Sequence, residues 1–198
     1  MEGCPKSVNP ALFKSDNQVE KTLTEYDAVV KRCQDIFLKK THDYGTAWRI
    51  LRPSSLTDQL FIKAKRIRSI DEKEVQMVED SIEGDFIGLV NYAYLALIQL
   101  ELDGDEELEL SPERAKSLYE KQALAVRNLM VAKNHDYGEA WRDLRISSIT
   151  DLILMKILRI RQIEDNEGLT LVSEGLDANY ADIANYAIFA LILLSEKA

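Results

Sequence analysis

THDYGTAWRILRPSSLTDQLFIKAKRIRSI, residues 41–70, returns as NHDYGEAWRDLRISSITDLILMKILRIRQI at residues 134–163, without a gap and with 18 identities in 30 positions. A second block, GLVNYAYLALIQL (88–100), aligns on DIANYAIFALILL (182–194) after a slip of one residue. The chain is therefore built from two copies of one unit, each of which must bury its apolar face against a neighbour. No stretch alternates with period two, whereas apolar residues recur at helical spacing throughout, so the fold class is all-α.

Each copy reads as three helices, about six in all. The spacing predicts helices over about 23–41, 56–70 and 76–101 in the first copy and about 112–134, 149–164 and 171–196 in the second. Each HDYG segment is then the turn after a first helix. The two third helices are the most apolar and are expected to meet at the centre of a pseudo-twofold bundle. Residues 1–21 read as a flexible N-terminus, 22–101 as repeat 1, 102–111 as an acidic linker and 112–198 as repeat 2. Ser111-Pro112-Glu113 has the order of an N-cap, a proline at the first helical position and an acid in the first turn. Ser55 with Asp58, and Ser148 with Asp151, fit capping boxes at the starts of the second helices.

A net charge of −9 argues against broad attachment to DNA or RNA, which needs a basic face to displace counterions. The basic residues instead gather locally in each copy, which suits a small anionic ligand. The longest apolar run, Tyr186 to Leu194, is shorter than the roughly 18–20 residues that span a bilayer, and is read as a buried helix with no membrane role. Two cysteines, Cys4 and Cys33, make no disulfide framework and read as inert thiols. With no basic-then-apolar leader in the first twenty residues, the expected location is the cytoplasm.

The only two histidines and the only two tryptophans fall at equivalent positions, His42 with His135 and Trp48 with Trp141. Helix positions have diverged around them, so something beyond apolar packing restrains the motif. On a structural reading, Gly45 and Gly138 take a left-handed turn, the aromatics pack, and His and Asp cap helix ends. On a functional reading, His42-Asp43 and His135-Asp136 put an imidazole beside a carboxylate, a pair that can move a proton or bind a divalent ion. Lys63 and Arg66, repeated as Lys156 and Arg159, share one face of each second helix, and the copy-two cations sit among apolar neighbours that demand an anionic partner. The third helices add Asp80, Glu83, Asp85 and Asn91, against Glu174, Asp177, Asn179, Asp182 and Asn185. Oxygens at spacings of three and four suit Mg2+ or Mn2+, and those ions suit phosphates.

Taken together, HDYGxAWRxLRxSSxTD, KxxRI and NYAxxAL resemble the first family of nucleotide-modification-associated domains, present as a tandem pair over about 35–101 and 128–196. A more distant similarity is to the all-α nucleoside triphosphate pyrophosphatases, the MazG-like proteins and dimeric dUTPases. That resemblance implies metal ligands three apart on a late helix before an aromatic residue. Asn179, Asp182 and Tyr186 match this element in copy two, and Asp85, Gly88 and Tyr92 in copy one. Each copy keeps one carboxylate of the pair, and neither first helix has the earlier Glu-x-x-Glu.

The expected function is a metal-dependent hydrolase of nucleoside triphosphates or related phosphorylated nucleotides, in pool cleansing or base modification. His42, Asp43, His135 and Asp136 are its candidate catalytic residues. Asp43, Glu83, Asp85, Asp136, Asp177 and Asp182 are the candidate ligands of Mg2+ or Mn2+. Tyr44, Trp48, Arg49, Arg52, Lys63, Arg66 and Asn91 in repeat 1 are candidate substrate contacts, with Tyr137, Trp141, Arg142, Arg145, Lys156, Arg159 and Asn185 in repeat 2. The expected partner is a small phosphorylated nucleotide, held by a monomer that acts as a fused dimer or by a homodimer. The alternatives are a nucleotide-binding regulatory module without turnover and a helical interaction scaffold.

Overall fold

The computed structural model describes residues 10–73, 79, 81–166, 168 and 174–197. Among these the chain is all-α: α1 (Pro10–Tyr44), α2 (Pro53–Lys73), α3 (Ile82–Glu101), α4 (Pro112–Tyr137), α5 (Ile146–Asp165) and α6 (Leu176–Ser195). A short 3-10 turn, Ala47–Ile50 or Ala140–Asp143, joins the first helix of each repeat to the second.

Helices α3 and α6 pack together at the centre, as their apolar sequences predict. α2 packs on α5, and α1 on α4, so each helix meets its own counterpart and the two repeats form two packed halves. Fully buried alanines at equivalent positions, Ala93 with Ala187 and Ala96 with Ala190, keep the facing surfaces of the central pair low. Among the described residues one helix, α6, is long and apolar enough to cross a membrane, yet most of it is buried inside this fold.

Four expectations change. α1 begins at Pro10, well before the expected start near 23, and the described parts of the third helices begin at Ile82 and Leu176; residues 76–78, Asp80 and 171–173 lie outside the described residues. His-Asp-Tyr is not a turn. It completes the last turn of α1 and of α4, and only the glycine leaves the helix, at φ +61° for Gly45 and +64° for Gly138. A side chain is strained at that φ, so the helix stops where the sequence offers a residue without one.

The capping boxes do not form. α2 starts at Pro53, whose fixed φ suits the first helical turn, and α5 starts at the equivalent Ile146, so Ser55 and Ser148 fall inside the helices. Asp58 and Asp151 instead reach across the pseudo-twofold axis, Asp58 to Arg161 at 2.6 Å and Asp151 to Arg68 at 3.4 Å. The caps that do form are Ser111, which accepts from Arg114 N at 3.2 Å as expected, and Ser81, which accepts from Gly84 N at 3.0 Å. Cys33 is fully buried and burial pushes its thiol up to about 12, while Cys4 lies outside the described residues.

Candidate active site

Because His42, Asp43, His135 and Asp136 end their helices, their side chains project into solvent. His42 is 88% exposed and His135 87%, with Nδ1 lying 3.1 Å and 3.0 Å from the neighbouring aspartate. Tyr44 and Tyr137 are exposed beside them.

The first motif arginines turn inward and are consumed by the fold. Arg49 donates to the carbonyls of Glu107 at 3.0 Å and Asp105 at 2.6 Å and to Gln99, which clamps the interrepeat linker onto repeat 1. Arg142 donates to Thr22 at 2.7 Å, Glu25 at 2.6 Å, Glu139 at 2.9 Å and Glu196 at 3.0 Å, which binds α1 to the end of α6. Burial alone would lower the Arg142 pKa, and the surrounding carboxylates more than offset it. Arg52, Arg145 and Arg159 are exposed.

On the central helices, Asn91 and Asn185 have both ends of their amides engaged by protein partners. Asp85 pairs with Lys63 at 3.2 Å and with Arg66. In repeat 2 the carboxylate stands one turn further along: Asn179 takes the place of Asp85, and Asp182 the place of Gly88. Asp182 bridges Lys133 at 2.5 Å and Lys156 at 2.6 Å.

This one-turn shift separates the two repeats. In repeat 1, α1, α2, α3 and the 3-10 turn enclose a cavity of about 550 Å³, lined by Lys40, Thr41, Tyr44, Trp48, Lys63, Gly88, Asn91 and Tyr92 together with apolar residues including Ile36, Phe37, Leu51 and Leu95. Four of the sequence-expected contacts, Tyr44, Trp48, Lys63 and Asn91, thus share one cavity. Lys40 and Gly88 were not in the expected set. The signal for Lys40 is its identity with Lys133, just ahead of both HDYG segments.

No ion pair engages Lys40 among the described residues, whereas its counterpart Lys133 is paired with Asp182. The buried indole N–H groups of Trp48 and Trp141 both have no hydrogen-bond partner among the described residues, but no ring stacks on Trp48 there. Its counterpart Trp141 is only 6% exposed and is stacked on Phe189, with centroids 4.2 Å apart and planes at 6°. Repeat 1 has Leu95 where repeat 2 has Phe189.

The carboxylates expected to hold a metal are dispersed. Glu83 pairs with Arg32 at 2.7 Å, Asp85 and Asp182 pair with lysines, Asp43 and Asp136 with their histidines, and Asp177 is exposed at the start of α6. No three His, Cys, Asp or Glu side chains gather as a metal site among the described residues. The donor set therefore does not form a cage for a divalent ion.

A family model, nucleotide modification associated domain 1, matches residues 40–100 and again 133–194. The chain belongs to this family. Each match begins at the lysine two residues ahead of HDYG, Lys40 or Lys133, and runs to the end of an apolar central helix, so each packed half carries one nucleotide modification associated domain. No curated protein and no solved structure gives a significant match.

Proposed function

We propose that the repeat 1 cavity binds a small phosphorylated nucleotide. The observation that carries this reading is Lys40, a cation with no ion-pair partner among the described residues, lining a cavity with Lys63 and the unstacked Trp48. Lysine ammonium groups from two helices suit a phosphate as point charges, and an indole face with a donor N–H suits a base. The cavity has the size of a small-molecule site and is mostly apolar with a few convergent polar groups, as such sites usually are.

Hydrolysis of the bound nucleotide is the finer reading. It draws on His42-Asp43, which follows the cavity residue Thr41 directly; the imidazole projects into solvent and takes the proton of an attacking water only after turning toward the cavity. Mg2+ or Mn2+ would reach this site on the phosphates, since no acidic cage is preformed among the described residues.

The test is a panel of ribo- and deoxyribonucleotides, with and without Mg2+, followed by melting temperature and by chromatography of the nucleotide. At a hundredfold excess over Kd, mass action raises the melting temperature by roughly 5–10 °C for a chain of this size. A shift lost in Lys40→Gln supports binding, and product lost in His42→Ala adds hydrolysis. A panel without any shift refutes the proposal.

A further inference from the structure

We infer that repeat 2 carries, in its own side chains, a stand-in for the ligand of repeat 1: Asp182 for the anion and Phe189 for the aromatic ring. This rests on reading the repeat 1 cavity as a ligand site. It fixes the pose of the ligand there and limits the chain to one ligand.

The two repeats present the same receiving groups. Lys133 and Lys156 match Lys40 and Lys63, and Trp141 matches Trp48. In repeat 2 both receivers are filled from α6. The Asp182 carboxylate bridges the two lysines at 2.5 Å and 2.6 Å, and the Phe189 ring lies parallel to the Trp141 indole at 4.2 Å. At the matching positions on α3, repeat 1 has Gly88 and Leu95, and both line the cavity.

Repeat 1 gives Lys63 a carboxylate of its own in Asp85 but leaves Lys40 without an anion and Trp48 without a stacked ring among the described residues, and a ligand fills those two places. The ligand anion lies beside Gly88, between Lys40 and Lys63, and the ligand ring lies on Trp48 beside Leu95. The two marker positions are seven residues apart on one helix, about 10 Å of rise. A base and its phosphates span that separation through the sugar, whereas a compact aromatic acid does not. Lys63 is already drawn aside toward Asp85, and its stem crosses Gly88 so closely that an added Cβ would stand 2.4 Å from its Cε. An aspartate at position 88 therefore takes the anion's place and displaces the Lys63 stem at once.

Titration calorimetry with each of the four deoxynucleoside triphosphates and with inorganic pyrophosphate tests this on the full chain. One ligand per chain is expected in the wild type. Gly88→Asp should weaken the nucleotides and pyrophosphate by about tenfold or more, the loss of one charge-assisted contact. Leu95→Phe should weaken the nucleotides alone. Both variants install the residue repeat 2 already uses, and Lys40→Gln, at an exposed position, repeats the anion test without burdening the fold. Two ligands per chain, or nucleotide binding unchanged in Gly88→Asp and Leu95→Phe, overturns the inference while nucleotide binding stands. Pyrophosphate binding that is lost in Gly88→Asp, without nucleotide binding, upholds the anion position and refutes the nucleotide reading. No binding of any probe refutes both.

Discussion

The Tyr26 hydroxyl of α1 donates to the Asn185 side-chain carbonyl of α6 at 2.8 Å, joining the first helix of repeat 1 to the last helix of repeat 2. Its counterpart is Tyr119, which donates to Asn91 at the same 2.8 Å in the opposite direction across the axis. Each asparagine then donates from its amide to its own repeat's first helix, Asn185 to Val126 O at 3.3 Å and Asn91 to Cys33 O at 3.2 Å. The two halves are thus pinned by polar contacts inside an otherwise apolar seam, which sets their register as well as their adhesion.

Tyr26→Phe tests this pin. It keeps the ring but leaves the buried Asn185 carbonyl without its donor, at a cost of about 1–3 kcal/mol. Urea unfolding should show a lowered midpoint with an unchanged slope. An unchanged midpoint would mean the bond adds nothing to the joint between the halves.

Arg142 should matter to stability more than its place in a ligand-like motif suggests. Three carboxylates from α1, the 3-10 turn and the end of α6 converge on one guanidinium. Arg142→Ala is expected to destabilise by about 2 kcal/mol, near the worth of a hydrogen-bonded charged group. Arg142→Lys should recover only part of it, since an ammonium cannot reproduce the planar fork. Full recovery by lysine in thermal unfolding would show that charge alone holds these elements.

The fold was largely legible because the chain holds its own comparison. Matching 41–70 with 134–163 revealed the repeat, and the apolar third helices announced the centre that α3 and α6 occupy. The candidate site was legible only in part. Tyr44, Trp48, Lys63 and Asn91 do line one cavity. Arg49 looked like a ligand cation, but it satisfies linker carbonyls, and contacts to backbone leave no mark in side-chain identity. Asp58 and Asp151 fitted capping boxes because spacing along one helix cannot show a partner across the axis. The contrast between Gly88 and Asp182 was visible in the alignment as a missing acid, and acquired meaning only when Lys133 and Lys156 were seen to converge on Asp182.

Glu164 should make stability fall as pH rises. It sits half-buried where α5 meets α2 and α6, accepting from Thr57 at 2.8 Å, with the Tyr180 hydroxyl 2.7 Å from Thr57 Oγ1. Burial raises its pKa above the ordinary 4.5, the bonds from Thr57 and Tyr180 oppose this, and Asp58 and Asp165 nearby add to the rise. A folded-state pKa above the unfolded one means the contribution is complete below pH 4.5 and is lost as pH rises through the folded value. Glu164→Gln, neutral throughout, should therefore melt higher than the wild type at pH 7, with the gap closing toward pH 4. A gap that widens on acidification would reverse the sign and refute the assignment.

The Lys156 and Asp182 pair separates a structural charge from a site for outside anions. Both side chains are 7% exposed and 2.6 Å apart, so neither can turn to water if the other is removed. Asp182→Asn leaves Lys156 only the exposed Glu174 carboxylate, 3.6 Å away, and should cost about 3 kcal/mol, the low end of the penalty for breaking a buried ion pair. Asp182→Leu with Lys156→Met removes both charges and should restore most of that loss, because apolar residues of similar volume can replace a buried ion pair at little net cost. Lys133, also bonded to Asp182, is 43% exposed and can relax into solvent in the double variant. Chemical denaturation of the single and double variants decides the point. A double variant as unstable as Asp182→Asn would mean that the pair holds its neighbours by geometry and that the penalty is not one of charge.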